Sequence, residues 1–168
     1  MKAILLNGFR LNIDYTFKLV EDIPDNKMTT QPNGFTNHPA FTLGHLTSAT
    51  ALTATVLGKE YQIPNGWDEL FRRKGPGDPR LPEQNKSEYP AKEQLLKVLN
   101  EKYKLVVDLI SNYPDSDLAK TYQWRFSSYM PTVGDVLYFQ CLIHNSWHIG
   151  QLAEWRRMIG FDSALAKL

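Results

Sequence analysis

The chain has 168 residues, 42% hydrophobic and 22% charged, with a formal net charge of +1. This fits one globular domain, residues 1–168, and excludes disorder or low complexity for the chain as a whole. Neither charge sign forms a long run, which argues against nucleic acid or anionic lipid as a partner, and a single cysteine, Cys141, excludes an intrachain disulfide and a cysteine-based zinc module.

The first predicted helix runs from about Lys2 to Ile23, with Leu6, Phe9, Ile13, Phe17 and Val20 at three- and four-residue steps before Pro24. Asn7, Arg10, Asn12 and Asp14 interrupt its apolar run, so it reads neither as a signal peptide nor as a membrane span. The expected compartment is the cytoplasm, with no membrane partner. A polar connection from Asp25 to about Asn37 leads to a second helix, opening near Pro39 and closing at Gly58. A long stretch from about Lys59 to Tyr89, rich in proline and glycine, follows; only Trp67 to Phe71 suggests a short helix within it. Irregular connections of this length in compact domains usually cover a site, and a cap over one end of a bundle is expected.

The third helix, about Pro90 to Asn112, carries Leu95, Leu99, Tyr103, Val106 and Ile110 on one stripe. An aromatic connection with Tyr122, Trp124, Phe126 and Tyr129 precedes the last helix, which opens on a Thr132–Asp135 capping box and stops at Gly160. Four such segments and no convincing strand predict an all-α fold, a four-helix bundle with a long irregular loop between helices 2 and 3.

On the last helix, Leu137, Cys141, His144, His148, Leu152, Trp155 and Ile159 fall within an arc about 80° wide at 100° per residue. His144 and His148 therefore sit one turn apart on a stripe that faces the core. His45 lies in a similar row with Phe41, Ala49, Leu52 and Val56 on the second helix. A lone histidine on an apolar face is more often an ordinary core residue. An i,i+4 pair facing a third histidine favours a shared partner, because buried imidazoles without one are costly to desolvate. Neutral imidazole is a common ligand for zinc, nickel, copper and ferrous iron, and three of them leave positions for water or substrate.

The segments His38-Pro39-Ala40-Phe41-Thr42-Leu43-Gly44-His45-Leu46 and His144-Asn145-Ser146-Trp147-His148-Ile149-Gly150-Gln151-Leu152 resemble the DinB-like (DinB/YfiT) superfamily. So do Leu57-Gly58-Lys59-Glu60, Trp67 to Phe71 and Tyr89-Pro90 between them. The resemblance implies an up-down-down-up four-helix bundle holding a divalent metal through three histidines, which match His45, His144 and His148. Zinc or nickel is expected, with iron or manganese as alternatives. It also implies a small-molecule substrate, a low-molecular-weight thiol in some members, and a homodimer. A thiol-dependent S-transferase is the favoured function; a metal-dependent hydrolase or a non-catalytic metal- or ligand-binding protein are the alternatives. Many members carry an acidic residue after the first histidine of the pair. Here it is Asn145, so a carboxylate base is missing from that position.

Cys141 is read as a small core residue, with a fourth-ligand role as the alternative. Gln151 is placed to hydrogen-bond beside the metal or to pack between helices, and His38 to serve the helix start. Arg72-Arg73 and Arg156-Arg157 are read as solvated surface or as steering for an anionic substrate. No G-x-S-x-G elbow, Walker-type loop or H-E-x-x-H run is present.

Overall fold

A computed structural model describes residues 2–73, 75, 78 and 81–168. The chain forms α1 (Lys2–Val20), α2 (Pro39–Val56), the short α3 (Trp67–Phe71), α4 (Lys92–Asn112), α5 (Val133–Tyr138) and α6 (Asn145–Met158). A π-helical turn, Phe139–His144, joins α5 to α6 without a break, and these three pieces occupy the predicted last helix. Short 3-10 turns punctuate the connections. Among the described residues the only β-type pairing is an isolated bridge between Thr121 and Thr132. The fold is all-α.

Local chemistry sets the ends. Pro39 opens α2, and the buried His38 caps it: its Nδ1 accepts the Phe41 amide at 3.2 Å while its Nε2 meets the Glu83 carbonyl at 2.9 Å. The expected N-terminal role of His38 is the observed one. At the far end the Gly58 amide donates to Thr55 and the Lys59 amide to Ala54, with Gly58 at φ 83°. Gly160, at φ 87°, ends α6 with the same pair of bonds. The capping box is present, Thr132 Oγ1 accepting from the Asp135 amide and Asp135 Oδ2 from the Thr132 amide. Helices α1 and α4 are two or three residues shorter than expected, because turns carry the chain into and out of the flanking prolines.

α1 packs on α4 and α6, and α2 packs on the same two helices. The predicted stripe of α4 is wholly buried, each leucine contributing about 2 kcal/mol by removal from water. α2 is buried nearly all round. Its Thr47, Thr50 and Thr53 hydroxyls stay satisfied by donating to carbonyls one turn back, at 2.7–2.9 Å. Gly44 lets α3 approach: a Cβ there would lie 2.3 Å from the Phe71 ring. One contiguous set of buried apolar residues joins all these helices.

Candidate metal centre

His45 projects from the middle of α2, His144 ends the π-turn, and His148 follows one turn later on α6. The structure brings all three together. Ring centroids are 4.6 Å apart for His144 and His148, 4.8 Å for His45 and His148, and 5.3 Å for His45 and His144. One nitrogen of each lies within 4.8 Å of the other two. The Nε2 atoms of His144 and His148 are 3.2 Å apart. Two nitrogens at zinc-ligand distance, about 2.05 Å, and the tetrahedral angle would be separated by about 3.3 Å. The donor set therefore fits a single divalent ion.

The protons are placed to suit. His45 Nδ1 meets the Phe71 carbonyl at 3.0 Å, which fixes the proton on Nδ1 and leaves Nε2 as a lone pair. The close approach of α3 at Gly44 delivers that carbonyl. His148 Nδ1 meets Gln151 Oε1 at 3.1 Å, and Gln151 Oε1 also accepts from Asn37 at 3.4 Å. His144 Nδ1 is buried without a hydrogen-bond partner, as is Oε1 of Gln140 on the same turn.

Desolvation is the main cause of the perturbed titrations. It pushes His148 down to about 2 and His144 to about 4, with the neighbouring cationic forms opposing protonation further. His45 is lowered for the same reason, and the Arg73 charge adds to it. All three are neutral at pH 7, the form that binds metal.

The π-turn separates what helical arithmetic had grouped. Six residues at about 4.4 per turn drift from the α-helical phase, so Cys141 and His144 do not share a face. Cys141 belongs to the hydrophobic core, and burial pushes its thiol pKa well up. It is not part of the ligand group, and the fourth-ligand alternative is corrected. Position 145 also faces away from the site. Buried Asn145 accepts from Tyr103 Oη at 2.8 Å and donates to the Gln140 carbonyl, five residues back, at 2.8 Å. Its missing carboxylate thus says nothing about a base at the metal. From α1, Asn12 donates to the Cys141 carbonyl at 3.1 Å and the Leu142 carbonyl at 3.4 Å. Two asparagines serve carbonyls of this wide turn.

The histidines line a cavity of about 550 Å³. Ala49, Leu52, Trp124 and Phe139 form its apolar wall. Arg72, Arg73 and Gly75 come from the long connection expected to cap the site, and Arg125 from the aromatic connection. Part of that stretch, including half of the residues from Gly75 to Pro82, lies outside the described residues. Sequence reasoning named Arg72 and Arg73 without placing them, and it missed Arg125 and Gln140, which carry no local signal. In the other pair Arg157 is exposed as expected, and Arg156 needs correction: it is 1% exposed and bound to Asp22. Arg156 is neither solvated surface nor a steering group.

Fold and site together define a class: helical proteins in which two helices converge three neutral imidazoles on one half-buried cavity. The chain belongs to the DinB superfamily, whose family model matches residues 9–152, from Phe9 in α1 to Leu152 in α6. The match includes all three histidines. No curated protein matches the chain.

Proposed function

We propose that this protein is a DinB-like four-helix bundle of up-down-down-up topology, a single domain over residues 1–168, that holds one divalent ion, zinc or nickel, on His45, His144 and His148 and acts on a small molecule. The observation that carries the reading is the 3.2 Å approach of two imidazole nitrogens, Nε2 of His144 and Nε2 of His148, beside a third imidazole. A single ion shared by the three rings would use a nitrogen of each.

A divalent ion on three neutral ligands keeps its double charge and lowers the pKa of a bound thiol or water. The chain's own contribution is orientation and dryness. The Phe71 carbonyl and Gln151 amide fix the tautomers of His45 and His148, while Leu52, Trp124 and Phe139 keep one side of the cavity apolar. No carboxylate lines the cavity among the described residues. A general base for water is absent from them, which favours a thiol-dependent transferase over a hydrolase. A cytoplasmic homodimer completes the proposal, supported by the family resemblance and by the lack, among described residues, of a helix long and apolar enough to cross a membrane.

Elemental analysis of the purified protein tests the site. About one divalent ion per chain is expected, with loss of that ion in the His144→Ala/His148→Ala double variant. Full occupancy in the double variant would overturn the assignment. Cobalt-loaded protein titrated with glutathione or cysteine tests the chemistry: a sulfur-to-metal charge-transfer band supports the transferase reading, and its absence supports the hydrolase or binding alternative.

A further inference from the structure

Three guanidinium groups from two separate connections, Arg72, Arg73 and Arg125, line the cavity that holds the histidines. The chain as a whole is nearly neutral, at +1, so this concentration of positive charge is local and not compositional. The described residues that line the cavity include no carboxylate. Arg73 is held in place, its Nη2 donating to Asn37 Oδ1 at 2.7 Å and its guanidinium lying 4.5 Å from the Phe41 ring centroid. Arg72 has a loose pairing with Asp68 at 3.7 Å. Arg125 stacks 4.4 Å over the Phe126 ring and, among the described residues, has neither a hydrogen-bond nor an ion-pair partner. Its guanidinium face is packed while its five N–H donors stay available. The same cavity is also lined by Leu52, Trp124 and Phe139, flat or branched apolar surface in a volume typical of small-ligand sites.

We propose that this cavity takes a small organic acid, its anionic oxygen group, carboxylate or phosphate, held by Arg125 and its apolar body against Trp124, Phe139 and Leu52. The inference rests on the reading above of this cavity as the functional one, and it names the substrate class. The planar guanidinium fork suits two oxygens of one acid group. Arg73, Arg125 and the three histidines line one and the same cavity.

Calorimetric titration with benzoate, phenyl phosphate and benzamide, three probes of one shape and different charge, tests the proposal. It is run on the protein as purified and after chelator treatment, with metal content measured on the same samples. At least one acid should bind about tenfold or more tightly than benzamide, and the tighter acid identifies the oxygen group. The preference should vanish in Arg125→Met, recover in part in Arg125→Lys, and persist in Arg157→Met, whose arginine is exposed and paired with Glu154. Arg125 is exposed, so its variants should keep the native circular dichroism spectrum. Equal binding of acids and benzamide, or an unchanged preference in Arg125→Met, overturns the proposal. Acid preference in protein that takes up no metal leaves this inference standing and removes the metal reading. Metal uptake without acid preference does the reverse.

Discussion

α6 buries polar groups at two places and treats them in opposite ways. Near its end, Arg156 is 1% exposed, and its guanidinium donates to both Asp22 oxygens and to the Leu19 and Asp162 carbonyls, while Lys167 adds a 2.8 Å contact to Asp22. Near its start, His144 and His148 face each other and His45, and their inward nitrogens meet no protein group except one another. The first cluster is closed by the protein itself. The second is closed only on the outer side of His45 and His148, by Phe71 and Gln151. A fully partnered buried group serves the fold, whereas a half-partnered one marks where chemistry is to enter.

Acidification should separate the two clusters most widely. In metal-free protein, His144 and His148 titrate near 4 and 2, against about 6.5 in the unfolded chain. The unfolded state then binds more protons below pH 6.5, so stability falls as pH drops. Between pH 7.5 and 5.0 the loss should be on the order of 4 kcal/mol, measured by urea unfolding. The Asp22 carboxyl is held well below its usual 3.8 by Arg156, so its contribution is present above that pH and is lost only as pH falls lower. Stability that stays flat from pH 7.5 to 5.0 would place the imidazoles in a far wetter setting than the structure shows.

Asp22→Ala should cost about 3 kcal/mol at pH 7. That is the low end for an interrupted buried pair, because Asp22 is itself 40% exposed and Arg156 keeps two carbonyls. Metal content should not change. Gly44→Ala comes next, at about 2 kcal/mol. Its Cβ would overlap a Phe71 ring that is completely buried and cannot step aside. Because α3 must shift and carry the Phe71 carbonyl from His45, metal affinity should fall with stability. An unchanged affinity in a destabilised Gly44→Ala protein would show that His45 does not depend on that carbonyl.

His148→Leu should have the smallest effect and the opposite tendency. In metal-free protein it removes a half-buried imidazole whose inner nitrogen meets only His144, so unfolding free energy should stay within about 1 kcal/mol of native or rise. With zinc at a hundred times its dissociation constant the native protein should gain about 2.7 kcal/mol, and the variant nothing. A large metal-free loss in His148→Leu would assign the histidine to the fold.

Much of this contrast is legible in local sequence. Pro39, Gly58, Gly160 and the Thr132–Asp135 pair mark helix ends through interactions within a few residues, and each acts as expected. The α4 stripe follows from a period that nothing interrupts. His45, His144 and His148 were recoverable because an i,i+4 pair stays on one face once the helix is regular again. Cys141 and Asn145 were not. Counting 100° per residue across Phe139–His144 assumes a turn that the chain does not make there, and the hydrogen bonds that accompany the wider turn come from Asn12, 129 residues before Cys141. Arg125 and Arg156 share that difficulty. One enters a cavity and the other is buried by Asp22, 134 residues away, and in both cases the surroundings are set by packing that no local window contains.

Through the π-turn, the last helix behaves as two rods spliced out of phase. The upstream rod can be tuned to the core and the downstream rod to the chemistry, since a change of residue on one need not compromise the face presented by the other. Removing a single residue between Phe139 and Asn145 would restore an uninterrupted α-helical ladder and rotate the upstream rod about 100° relative to the downstream one. The histidine pair and the apolar anchor at Val133, Val136 and Leu137 could then not both keep their places. In a lineage this helix should tolerate substitution on either side of the splice far more readily than any change in its length.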